Sequence, residues 1–161
     1  MIDNKQISLA ITGASGAPYS QRLLQVLLAQ GLTVHLMISA AGRIVLADEL
    51  DWKLPARPSD VHKKLVAEFD CQPEQLRVYG EQQWSSPLAS GSHRVGTMIV
   101  CPCTMGSLSS IAVGSSDNLI NRAADVMLKE SRKLILVPRE APFSVIHLEK
   151  MLKLAKMGVC I

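Results

Sequence analysis

Gly13 and Gly16 flank Ser15 in the run Thr12-Gly13-Ala14-Ser15-Gly16-Ala17. Such a run lets backbone approach an anion, and the helix that follows offers unpaired N–H groups and the positive end of its dipole. Phosphate recognition is the chemistry expected, with a plain strand-to-helix turn as the alternative. The full G-x-G-x-x-G spacing is missing, and the next apolar run ends in Ser39 rather than the acid that would grip an adenosine ribose. A mononucleotide is therefore favoured over NAD. Cys103-Thr104-Met105-Gly106 supplies a hydroxyl and backbone donors at another such junction, although helix capping accounts equally well for Thr104 and for Ser39. Cys103 is not expected to be a nucleophile, because no histidine or cation stands beside it to lower its pKa.

A second group of residues is charged. Arg122, Lys129, Arg139 and Glu140 could hold a departing phosphate and move a proton. Arg122 and Lys129 are seven apart on one predicted helix, hence on nearly the same face. Singly, each also fits a solvated surface charge, as does Glu49 in Asp48-Glu49. Trp84 could shelter a carbocation or stack on a flavin, or simply anchor its loop. His35, His62, His93 and His147 form no triad or metal-ligand pattern, and Cys101-Pro102-Cys103 has no second pair, so no metal is expected.

These residues need strands and helices to carry them. Ile7–Ile11 reads as a strand, Tyr19–Gln30 as a helix and Leu32–Ile38 as a strand, followed by helices over Ala40–Leu50 and Ser59–Phe69, with Ser59 as cap. A short strand, Leu76–Tyr79, leads into a long polar loop, Gly80–Gly96, that holds Ser90-Gly91-Ser92. Thr97–Cys101 is a buried strand closed by Pro102, a helix starts at Thr104, and Asn118–Glu130 is a helix, Lys133–Val137 a strand and Ser144–Met157 a helix. This alternation predicts an α/β fold: a doubly wound, mostly parallel sheet with helices on both faces, a Rossmann-like sandwich. Ligands in such sheets bind beyond the C-terminal strand ends, which gathers Gly13–Ala17, Ser39, Cys103–Gly106 and Arg139-Glu140.

The totals agree with a single domain over residues 1–161, of net charge +3 and 48% hydrophobic. Its scattered Lys and Arg argue against nucleic acid. No secretory signal and no run of about 20 apolar residues is visible, which predicts a cytoplasmic protein with reduced cysteines and no membrane partner. Val159-Cys160-Ile161 reads as the start of another buried strand, so a C-terminal segment is expected to follow.

Taken together, the motifs resemble the UbiX-type flavin prenyltransferase family. The resemblance rests on Thr12–Ala17, Ser90-Gly91-Ser92, Cys101-Pro102-Cys103, the run Asn118–Val126, Leu128-Lys129-Glu130 and Val137-Pro138-Arg139-Glu140-Ala141-Pro142. It implies reduced FMN as prenyl acceptor, dimethylallyl monophosphate as donor, no metal, a homododecamer, and a product passed to UbiD-type decarboxylases. It implies that Gly13, Ala14, Ser15, Ser39, Cys103, Thr104, Met105, Gly106 and Arg139 contact the flavin. Ser90, Gly91, Arg122, Lys129 and Glu140 would surround the donor phosphate, Ser15 and Glu49 would relay a proton, and Trp84 would wall the allyl group. The family's Pro-rich segment and tail, with a tyrosine and a basic residue for that phosphate, are not in this sequence. Two other readings are a flavin-dependent cysteine decarboxylase, whose catalytic histidine and Pro-x-Met-Asn segment are not recognisable, and a non-catalytic FMN-binding partner protein.

Overall fold

The computed structural model describes residues 3–161, the side chain of Asn4 excepted. Five strands, β1 (Asp3–Ile11), β2 (Thr33–Ile38), β3 (Leu76–Tyr79), β4 (Val95–Cys103) and β5 (Lys133–Pro138), form a parallel sheet in the order β3-β2-β1-β4-β5. The helices are α1 (Ala17–Ala29), α2 (Ala40–Leu50), α3 (Pro58–Phe69), α4 (Met105–Val113), α5 (Leu119–Lys129) and α6 (Val145–Lys156). Side chains alternate across a strand, and β1 shows the result. Leu9 and Ile11 pack with Leu24, Leu46 and Leu65 of α1, α2 and α3, while Ala10 packs with Leu108, Ala124 and Leu154 of α4, α5 and α6. The expected doubly wound sandwich is therefore the fold observed.

Several boundaries move, each for a local reason. β1 starts at Asp3 rather than Ile7, because the Asp3 amide donates to the Arg94 carbonyl at 2.9 Å. α1 and α3 start at Ala17 and Pro58 rather than Tyr19 and Ser59, with a proline in each first turn, where the missing N–H costs nothing. Arg57, not Ser59, is thus the cap residue of α3. β4 runs through Pro102 to Cys103 instead of closing at Cys101, and the Pro102 carbonyl is bonded by the Thr12 amide and hydroxyl. The expected strand at Val159 is realised as one parallel bridge, Cys160 to Ile135 on β5.

The chain winds outward from β1 through β2 to β3, then crosses to β4 on the other side of β1. The crevice between the C-terminal ends of β1 and β4 is the switch point at which such sheets take ligands. The opposite edge of the sheet is far away: six residues of strand, the length of β5, span about 20 Å.

Candidate active site

At the switch point, Thr12 ties two loops together. Its buried hydroxyl donates to the Pro102 carbonyl at 2.8 Å and accepts the Thr104 amide at 2.8 Å. Thr104 in turn caps α4 by accepting the Ser107 amide at 3.0 Å. Gly13 packs so tightly that an added Cβ would stand 2.4 Å from the Cβ of Ala41 on α2. The Ser39 amide donates to Ile11, and its hydroxyl caps α2 by accepting from Gly42. The Arg139 amide reaches the Cys103 carbonyl at 3.3 Å, and its Nε reaches the Ser15 carbonyl at 3.3 Å. Four strand ends are thus cross-linked into one surface.

The α1 N-terminus differs from expectation. The Glu49 carboxylate, from the last turn of α2, accepts the Gly16 amide at 2.9 Å and the Ala17 amide at 2.8 Å. Pro18 has no N–H, and the Tyr19 amide bonds back to the Gly16 carbonyl. No donor of that turn is left for a phosphate, because a side chain of the protein already supplies the anion. The nearby Ser15 hydroxyl, then the Gly16 and Ala17 amides and the Arg139 charge, hold Glu49 below the usual carboxylate range. At α4 the Met105 and Gly106 amides have no partner among the described residues. A Cβ on Gly106 would meet nothing nearer than the Thr104 hydroxyl at 3.8 Å. Ahead of the α1 turn the Gly13, Ala14 and Ser15 amides likewise have no partner among the described residues, so open donors face the crevice from both junctions.

Beside Ser15 and Arg139 lies a mostly apolar cleft of about 220 Å³, walled by Tyr19, Cys101, Pro102 and Val137. Tyr19 is 76% exposed there and was not singled out by its sequence position, although an aromatic in the first turn of a helix at a switch point faces any ligand. A larger hollow of about 540 Å³ lies against Pro58, Arg77 and Tyr79 on the outer edge of β3, away from these groups. Burial pushes the Cys103 thiol up to about 12, so this sulfur is inert and only its backbone faces the site. Free amides for a phosphate, hydroxyls beside them and an apolar cleft fit a mononucleotide carrying a flat ring.

The remaining residues lie elsewhere. Ser90, Gly91 and Lys129 stand near the starts of β4 and β5, at the sheet's N-terminal edge, whereas Glu140 follows the end of β5. Within a single chain these residues do not surround one phosphate. Ser90 bonds Ser92 through their hydroxyls at 2.9 Å. Arg122 donates to the Ala89 carbonyl at 3.0 Å and to Asp125 at 2.9 Å, and Lys129 pairs with Glu130 at 3.0 Å. Glu140 accepts the Ala141 amide at 3.2 Å. Trp84 is half exposed in the β3–β4 connection. Among the described residues no group of His, Cys, Asp or Glu is placed to hold a metal, and no helix is long and apolar enough to cross a membrane.

The Flavoprotein family model matches residues 1–161. The chain is 50% identical over 157 residues to the flavin prenyltransferase UbiX of Pseudomonas aeruginosa, covering 98% of this chain and 75% of that protein. A crystal structure of AnUbiX in complex with FMN and dimethylallyl pyrophosphate superposes with a TM-score of 0.81 at 35% identity, covering 99% of this chain and 77% of that one. A dodecameric FMN-dependent UbiX-like decarboxylase from Escherichia coli O157:H7 gives 0.81 at 39% identity, covering 96% and 78%.

Proposed function

The chain belongs to the UbiX flavin prenyltransferases, within the flavoproteins, and from that premise we propose how its residues divide the transfer of a dimethylallyl group to FMN. The flavin phosphate takes the Met105 and Gly106 amides at the α4 N-terminus, with the Ser39 and Thr104 hydroxyls and the Cys103 backbone beside it. Gly13, Ala14, Ser15 and Arg139 border the ring. Reduced FMN, when bound, supplies the nucleophilic N5 and the C6 at which a fourth ring closes. Ser15 and Glu49 hold a proton path to that ring: Glu49 stays ionised at neutral pH and accepts through the Ser15 hydroxyl. The apolar cleft beside Tyr19 tolerates an allyl cation and keeps water from quenching it, and the family resemblance adds the Trp84 indole, from the β3–β4 connection, as a further wall.

Arg122 and Lys129, with Ser90 and Gly91, hold the donor's phosphate as it departs, and Glu140 completes that shell. Because Ser90, Gly91 and Lys129 lie toward the start of β5 and Arg139 and Glu140 follow its end, about 20 Å away in one chain, the two groups meet across copies in an assembly. A homododecamer agrees with the dodecameric relative. The exposed Val145, Ile146, Leu148 and Leu152 on α6 offer an apolar surface of the kind copies bury against each other. The product, prenylated FMN, serves a UbiD-type decarboxylase in the cytoplasm.

The junction of Ser15, Glu49 and Arg139 at the switch point carries this reading. Purified protein is given reduced FMN with dimethylallyl monophosphate or diphosphate, and the flavin is weighed by mass spectrometry. The prenyl adduct forms with the monophosphate. Unchanged FMN with both donors would overturn the assignment.

A further inference from the structure

Arg132 has no place in the reaction as described, yet its side chain is only 10% exposed, and its bonded carbonyls lie in the loop before β4 and at the first residue of that strand. Nη1 donates to the His93 carbonyl at 2.5 Å and the Val95 carbonyl at 3.4 Å, and Nη2 donates to the Gly91 carbonyl at 2.6 Å. A tight helix-end turn leads into it: Ser131 sits at φ 53°, and the Arg132 amide closes back onto the Met127 carbonyl at 2.8 Å. Arg122 adds a fourth carbonyl, that of Ala89.

Glu130 completes the support from the other side. Its carboxylate bonds Lys129 at 3.0 Å, lies 3.9 Å from Arg132, and occupies the space beside Gly91, where an added Cβ would fall 2.2 Å from Oε1. We propose that Arg132 is the positioning residue of the Ser90-Gly91-Ser92 loop for the donor phosphate. The inference rests on the reading above that this loop takes the phosphate. The guanidinium draws three carbonyl oxygens, the negative ends of the peptide dipoles, toward the body of the protein. The Gly91 amide keeps no partner among the described residues and remains for an anion. Without Arg132 those carbonyls lose their donor, and some turn toward the phosphate they would repel. The planar fork, with five donors in fixed directions, serves several carbonyls at once with less freedom than an ammonium.

The test compares Arg132→Gln, Arg132→Lys, Gly91→Ala and Ser90→Ala in the full chain, reading FMN affinity, donor KM, kcat and melting temperature. Arg132→Gln raises donor KM about 10- to 100-fold, the scale of a misplaced binding group, while kcat falls less and FMN affinity holds. Arg132→Lys recovers part of the loss, and Gly91→Ala reproduces it by pushing the loop off Glu130. Donor affinity for the oxidised FMN complex, read by calorimetry, follows the same order without turnover. If Arg132→Gln fails to fold, the Lys and Gly91→Ala variants decide by the same readouts. An unchanged donor KM, or FMN affinity falling in step with it, overturns the positioning role. If Ser90→Ala raises donor KM and the Arg132 variants do not, that role alone falls; if neither does, the assignment of the loop falls with it.

Discussion

At the C-terminal edge of the sheet, Ser39 and Thr104 are fixed by amides three residues away in their own helices, and Thr12 locks adjacent loops together. At the N-terminal edge, Gly91 is fixed by the Arg132 side chain 41 residues along the chain, and Ala89 by Arg122 from 33 residues away. The first arrangement is a preformed backbone surface suited to a cofactor that is held tightly. The second depends on a few long cationic side chains that reach loop carbonyls from far along the chain. A substitution at the first should therefore cost stability and flavin together, and one at the second should cost turnover with flavin retained.

The largest separation of the two edges comes from Lys129→Met, which lowers formation of prenylated FMN by about 100-fold or more while FMN still binds. A parallel fall in FMN affinity, measured by fluorescence titration, would show the edges are not separable. Gly13→Ala comes next: its methyl must displace Ala41, which costs about 1–3 kcal/mol of stability and weakens flavin binding, as thermal melts and the same titration report. Thr12→Val keeps the shape but strands the Thr104 amide and one bond to Pro102, for a loss of about 1–2 kcal/mol by denaturant unfolding, with FMN affinity falling too.

Stability should also depend on pH, through a residue away from the flavin edge. His35 is buried between Tyr79 and Gln6, with the His93 ring 5.0 Å away. Burial, followed by the charges of His93 and Arg77, lowers its pKa from 6.5 to about 4. The folded chain keeps this ring neutral while the unfolded chain protonates it below 6.5. Stability present above that pH is therefore lost as pH falls toward 4, at about 1.4 kcal/mol per unit. Melting curves between pH 7 and 4.5 should show this slope, and His35→Asn should flatten it.

The same contrast explains what could be read from the sequence. Gly13, Gly16 and the caps at Ser39, Thr104, Asn118 and Ser144 follow from residues within one turn, so the strand-loop-helix order and the binding edge were legible. Glu49 filling the α1 N-terminus was not, because its partners stand 32 and 33 residues away. That contact takes the Gly16 and Ala17 amides, the first donors of α1, away from any ligand. Lys129 and Glu140 were grouped by chemical type, and only the length of β5 shows that one chain holds them apart. Arg132 carried no signal and Glu130 only a place in the Leu128-Lys129-Glu130 motif, since a basic or acidic residue after a helix is ordinary until the loop it touches is known.

The claim that the two edges serve one reaction from different copies has a direct measurement. Arg139→Ala damages the flavin edge and Lys129→Met the phosphate edge, and each variant alone makes little prenylated FMN. Co-expressed with separate tags and isolated as mixed assemblies, they should recover a substantial fraction of the product, because some sites then combine an intact flavin edge with an intact phosphate edge. Mixed assemblies that contain both chains yet stay as inactive as either parent would contradict the account.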